Sequence, residues 1–90
     1  MDETVKLLIQ YFKEAGKAHH LAFESVNGVD AEWPIWYSDF LFEKVAPLLK
    51  DLTKSNLIYY LIVLDKKMKE EKPSISWPEY YANYLITEFS

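Results

Sequence analysis

Two adjacent histidines, His19 and His20, are the side chains of this 90-residue chain whose unperturbed pKa lies nearest neutrality. In helices, His20 and Glu24 would share one face, as would Asp39 and Glu43, so an ion held between helices is conceivable. A di-metal bundle site, however, needs inward glutamates and a Glu-x-x-His pair, whereas the inward positions here are aromatic or aliphatic. We therefore expect no metal, no cofactor and a solvated His20/Glu24 pair. A metal-assisted enzyme using these four side chains is the least favoured alternative.

Other residue sets typical of enzymes are missing from the sequence. Gly16 and Gly28 are its only glycines, so it has no glycine-rich phosphate loop. It has no cysteine, which excludes a disulfide, a thiolate metal cluster and a thiol nucleophile. It also lacks a nucleophile elbow and a supported Ser-His-Asp set. These features predict a protein that is not an enzyme.

Charge and hydropathy narrow the range of partners. The net charge is −4, and all ten basic side chains are lysine, so the planar guanidinium that reads guanine edges is missing. The longest apolar run, Leu57 to Leu64, has eight residues, against the roughly twenty of a membrane span. We expect no nucleic-acid partner, no membrane span and a cytoplasmic protein.

A near-repeat offset by 44 residues is the most distinctive pattern in the chain. The segments Trp33 to Leu41 and Trp77 to Leu85 share Trp, Pro, Tyr and Leu at identical offsets. Proline is tolerated in the first turn of a helix, where its missing N–H breaks no intrahelical bond. The near-repeat therefore predicts two helices that begin in the same way, each with a proline in its first turn.

The hydrophobic periodicity predicts four helices, near residues 3–26, 32–46, 54–71 and 77–89. Asp2 is a candidate cap for the first helix, and Asn27-Gly28 is a typical helix end. Thr53 or Ser55 is expected to cap the third helix, and the Ser-x-x-Glu arrangement at Ser76 is expected to start the fourth. The predicted fold is a single all-α domain, a compact four-helix array of two helical hairpins with an approximate internal two-fold repeat.

The paired Trp-Pro segments, separated by a leucine-rich helix, resemble small all-helical bacterial proteins of uncharacterised function. The resemblance spans most of the chain and rests on Trp33 to Leu41 and Trp77 to Leu85. It implies an all-helical fold, and it implies no particular chemistry.

Most aromatic side chains, Trp33 and Trp77 among them, lie at the spacing of core residues, but some fall on helix flanks. A domain of this size has too little interior for every large ring, and Trp and Tyr left at a boundary favour protein interfaces. The favoured function is therefore a non-catalytic interaction module that binds a protein partner or forms a homodimer. The interface candidates are Trp36, Phe42, Tyr80 and Ile86.

The alternative function is a small-molecule-binding domain with an aromatic pocket between the hairpins. Its candidate lining residues are Tyr11, His19, Tyr37 and Tyr81. His19 lies within the apolar stripe of the first helix, so it is expected to be buried. A Tyr hydroxyl or a backbone carbonyl is its expected hydrogen-bond partner.

Overall fold

The computed structural model describes residues 3–89 and contains four α-helices. They are α1 (Glu3–Ala22), α2 (Trp33–Val45), α3 (Lys54–Glu71) and α4 (Trp77–Phe89). The all-α class and the four-helix array are confirmed. The first helix was expected to continue to residue 26, but α1 ends at Ala22 and is followed by a 3-10 turn, Glu24–Val26. The expected cap at Asp2 lies outside the described residues.

Local signals account for the helix ends. Thr53, rather than Ser55, caps α3, because its Oγ1 accepts a hydrogen bond from the Asn56 N–H at 3.1 Å. Lys72 ends this helix in the left-handed conformation, with φ of 47°. Pro34 lies in the first turn of α2, as predicted. Near Pro47 the α-helix gives way to a 3-10 turn, Ala46–Leu48.

The helices pack in a closed order around one core. α1 contacts both α2 and α4, α2 contacts α3, and the contact between α3 and α4 is the slightest of the four. The largest fully buried apolar side chains of the core are Leu8, Phe12, Leu41, Val45, Leu57, Leu61, Leu64 and Leu85. No helix within residues 3–89 has the length and apolarity needed to cross a bilayer.

Equivalent positions of the near-repeat have similar burial in α2 and α4. Leu41 and Leu85 are both buried in the core, and the small residues Ser38 and Ala82 are both completely buried. The near-repeat thus presents the same face of α2 and α4 to the core.

Candidate ligand-binding site

A cavity of about 450 Å³ lies at the end of the array where α1 and α3 end and α2 and α4 begin. This volume is within the range of small-molecule pockets. The cavity is lined by His19, Gly28, Asp30, Trp33, Tyr37, Leu61, Asp65, Met68, Lys69, Trp77 and Tyr81. Its lining includes residues of both α3 and α4, the neighbouring helices with the slightest contact.

Four rings, two from each segment of the near-repeat, form a continuous aromatic row along the cavity. The Trp33 and Tyr37 ring centroids are 5.8 Å apart, and those of Trp77 and Tyr81 are 5.3 Å apart. Tyr37 and Trp77 join the two pairs, with centroids 6.1 Å apart. All three contacts are edge-to-face, the arrangement favoured by the ring quadrupoles.

Trp77 is held in the row by close packing on α1. A Cβ atom placed on Gly16 would lie 2.9 Å from Cζ2 of the Trp77 indole, so only glycine leaves room for the ring. Phe12, which is fully buried, packs edge-to-face against the same indole at 6.0 Å. The orientation of Trp77 is therefore fixed by the interior of the protein.

His19 is buried, as predicted, but its partner is a carboxylate. Its Nε2 lies 3.1 Å from Oδ2 of Asp30, whereas a Tyr hydroxyl or a backbone carbonyl was expected, and that expectation is wrong. Asn27 and Gly28 adopt left-handed conformations, with φ of 58° and 77°, that turn the chain back toward α1. Oδ1 of Asp30 accepts a hydrogen bond from the Glu32 N–H. The distance in sequence between His19 and Asp30 concealed this pair.

Aromatic rings enclose the His19 imidazole. The Phe23 ring stacks on it at 4.7 Å, and the Trp36 and Tyr37 rings lie with centroids 5.0 Å away. Together with the bond to Asp30, these contacts fix the imidazole at the wall of the cavity. His19 is thus part of a rigid polar corner in a largely apolar site.

Asp65 supplies a second carboxylate to the lining. Its Oδ2 lies 3.0 Å from Nζ of Lys69, one helical turn further along α3. The Asp65 side chain is 34% exposed and that of Lys69 is 75% exposed, so the lysine lies on the solvent side of the pair. Asp30 and Asp65 therefore bring two acidic groups to one cavity from different segments of the chain.

The two tyrosine hydroxyls of the site are kept in their neutral form. Burial raises the pKa of Tyr81, and the nearby carboxylate of Asp65 raises it further. Burial likewise raises the pKa of Tyr37, with a smaller contribution from Asp30. Both phenols are neutral hydrogen-bond donors at pH 7, as at the ordinary tyrosine pKa of about 10, and the shifts extend this state to higher pH.

Three of the four residues predicted to line a pocket do line this cavity: His19, Tyr37 and Tyr81. Tyr11 does not, and it packs partly buried against the core instead. Sequence reasoning assigned Trp33 and Trp77 to the core, although their place in the near-repeat with Tyr37 and Tyr81 was a usable signal.

The two carboxylates of the cavity were also missed. Asp65 lies between Leu61 and Met68 at helical spacing, which could have marked it as an inward acidic residue. However, Asp65 is also the first residue of a mostly charged run that ends at Lys72, and such a run is typical of a solvated helix face. No spacing pattern in the sequence marked Asp30.

The four interface candidates are partly buried. Trp36 contacts His19 and stacks on Phe40 at 5.6 Å, and the Tyr80 hydroxyl donates a hydrogen bond to Oε1 of Glu71 at 2.8 Å. Phe42 and Ile86 pack against the core. A role for these four side chains in binding a partner stays a prediction.

The side chains considered for a metal are exposed and are not brought into one cluster. Asp39 instead forms an ion pair with Lys54. Within the described part of the chain, no group of three or more His, Asp or Glu side chains could hold a metal ion. The four exposed residues are His20, Glu24, Asp39 and Glu43.

Comparison of the chain with protein-family models, with curated proteins and with solved structures gave no match. The resemblance to small helical bacterial proteins therefore stays a prediction. Any functional assignment has to be argued from the site itself.

Proposed function

We propose that this protein is a non-catalytic small-molecule-binding domain whose ligand occupies the cavity between α2, α3 and α4. The observation that carries the proposal is the 450 Å³ cavity walled by Trp33 and Tyr37 from one segment of the near-repeat and Trp77 and Tyr81 from the other. The row of rings offers an extended apolar contact surface, and the few polar groups beside it can fix a ligand's orientation.

The composition of the lining supports binding rather than catalysis. His19 and Asp30 are bonded to each other, and Asp65 is paired with Lys69. The raised pKa values of both phenols oppose ionisation, so these hydroxyls suit hydrogen bonding to a ligand better than proton abstraction. The lining therefore suits recognition of a ligand's shape and charge.

The proposal is tested by thermal unfolding in the presence of a metabolite panel. A ligand at one hundred times its Kd adds about 2.7 kcal/mol to the free energy of unfolding. The Met68→Trp variant places a bulky ring in the cavity and should lose the ligand-induced rise in Tm. Met68→Leu, which nearly conserves volume, should keep it.

Two outcomes would contradict the proposal. One is a flat response of the wild type across the panel. The other is an equal response of the wild type and the Met68→Trp variant to the same compound, since binding would then occur outside the cavity.

Partner binding or self-association through Trp36, Phe42, Tyr80 and Ile86 is a second candidate function. It is favoured by the partial exposure of all four side chains, which leaves ring and aliphatic surface available outside the core. Light scattering after size exclusion would show a dimer for the wild type and a monomer for the Trp36→Ala/Tyr80→Ala variant. A monomeric wild type would contradict self-association.

A further inference from the structure

We infer that the ligand is an organic cation, namely an ammonium group carried on an apolar body. This inference rests on the proposed function, because it specifies the chemistry of the ligand that the cavity binds.

The charged side chains of the lining favour a positive ligand. Asp30 and Asp65 contribute two carboxylates, against one ammonium from Lys69. His19 already bonds to Asp30, so the pair has a fixed internal arrangement. Asp65 is the carboxylate that a ligand can reach more easily, because its side chain is 34% exposed and that of Asp30 is 11% exposed.

The ion pair between Asp65 and Lys69 is the kind that a ligand can replace. Exposed pairs one helical turn apart contribute little to stability, because water screens them and two long side chains must be held in place. An ammonium bound beside Asp65 would be less exposed than Nζ of Lys69 and would be attracted more strongly. Binding therefore moves Lys69 aside and leaves the His19–Asp30 pair intact.

The aromatic row supports the same ligand class. Faces of Trp and Tyr attract cations through their quadrupole, and the attraction increases when the cation loses part of its water. Trp33, Tyr37, Trp77 and Tyr81 all line the cavity that holds Asp65. Their carbon surface also suits an apolar ligand body.

The helix ends do not favour an anion instead. The starts of α2 and α4 carry partial positive charge, but α1 and α3 end at the same end of the array and carry partial negative charge. These contributions oppose each other. The two carboxylates therefore determine which sign of ligand charge the cavity favours. An anionic ligand would be repelled by both Asp30 and Asp65.

The test uses three probes with the same phenyl body: 2-phenylethylammonium, 2-phenylethanol and phenylacetate. Isothermal titration calorimetry at low salt gives a Kd for each. We expect 2-phenylethylammonium to bind most tightly, with a Kd at least tenfold lower than that of 2-phenylethanol. Phenylacetate should bind most weakly. Added salt should weaken the binding of 2-phenylethylammonium and leave that of 2-phenylethanol nearly unchanged.

Matched variants identify the carboxylate responsible. Asp65→Asn should weaken ammonium binding at least tenfold, whereas Lys69→Gln should strengthen it several-fold by removing the competing charge. Asp39→Asn and Lys54→Gln alter another Asp–Lys ion pair, which lies outside the cavity. They should leave the Kd of 2-phenylethylammonium unchanged. Circular dichroism confirms the fold of each variant, and the gain in Lys69→Gln cannot arise from unfolding.

The outcomes separate the two proposals. If 2-phenylethanol or phenylacetate binds as tightly as the ammonium, the cation inference is overturned and small-molecule binding stands. The same inference falls if 2-phenylethylammonium does not bind, or if Lys69→Gln leaves its Kd unchanged. If, in addition, no panel compound raises the Tm of the wild type, the proposed function falls as well.

Discussion

The ring of Tyr37 in α2 meets the indole of Trp77 in α4 edge-to-face, with centroids 6.1 Å apart. The two residues belong to different segments of the near-repeat, so this contact joins the segments across the cavity. Each ring also contacts the aromatic residue four positions away in its own helix. The similar first turns of α2 and α4 thereby form a single aromatic wall of the cavity.

Gly16→Ala is expected to destabilise the protein by about 1–2 kcal/mol. The added methyl would lie 2.9 Å from the Trp77 indole, which packing against Phe12 prevents from moving freely. Overpacking of about 1–3 kcal/mol outweighs the gain of about 0.5–1 kcal/mol that alanine brings to a helix interior. Urea denaturation of the two proteins measures the difference.

A second background separates these two effects. In a Trp77→Leu protein the indole is gone, so Gly16→Ala should become neutral or stabilising by up to about 1 kcal/mol. An equal loss of stability in both backgrounds would show that the methyl group meets something other than Trp77.

Asp30→Ala is expected to destabilise the protein by about 1–3 kcal/mol. The substitution removes the carboxylate that bonds to His19, whose ring is enclosed by Phe23, Trp36 and Tyr37, and a buried polar group without its partner is costly. Asp39→Ala breaks an exposed pair with Lys54 and should cost less than about 0.5 kcal/mol. Similar losses in the two variants, measured by chemical denaturation, would contradict the buried His19–Asp30 pair.

Stability is expected to decline above pH 10, and Tyr81→Phe should reduce the decline. Burial and Asp65 raise the pKa of Tyr81 in the folded state, so above pH 10 the unfolded chain releases this proton while the folded protein keeps it. The contribution is complete below the unfolded pKa of about 10 and is lost as the pH rises toward the folded pKa. Unfolding measured between pH 8 and 11.5 tests this, and an unchanged decline in Tyr81→Phe would contradict it.

Thr53→Ala should cost about 1 kcal/mol, because it removes the oxygen that accepts the Asn56 N–H at the start of α3. Ser55→Ala lies inside the first turn and should change the free energy of unfolding by less than about 0.5 kcal/mol. Thermal denaturation of both variants makes the comparison. A larger loss of stability in Ser55→Ala than in Thr53→Ala would contradict the assignment of Thr53 as the cap.

Most helix bounds could be predicted, because the signals that set them are local. Pro34 and the cap at Thr53 act within one helical turn, so a few consecutive residues determine where α2 and α3 start. The end of α1 was misplaced by four residues, because the 3-10 turn continues the same apolar spacing without continuing the α-helix.

The site could be predicted only in part, because it depends on side chains that meet through the tertiary fold. His19 was recognised from its place in a helical stripe, but its bond to Asp30 requires the turn at Asn27 and Gly28. Trp33 and Trp77 have the spacing of core residues. Only the packing of α4 against α1 and the contact between Tyr37 and Trp77 show that they also border a cavity.

The central claim is that both segments of the near-repeat contact one ligand, and the three indoles of the protein test it directly. Trp33 and Trp77 line the cavity, whereas Trp36 does not and instead packs behind the lining residue His19 and against Phe40. In a ¹⁵N-indole NMR titration with the panel compound that raises Tm most, the Trp33 and Trp77 signals should shift along one binding curve while the Trp36 signal stays nearly fixed. A shift of only one cavity indole, or a larger shift at Trp36, would contradict the account.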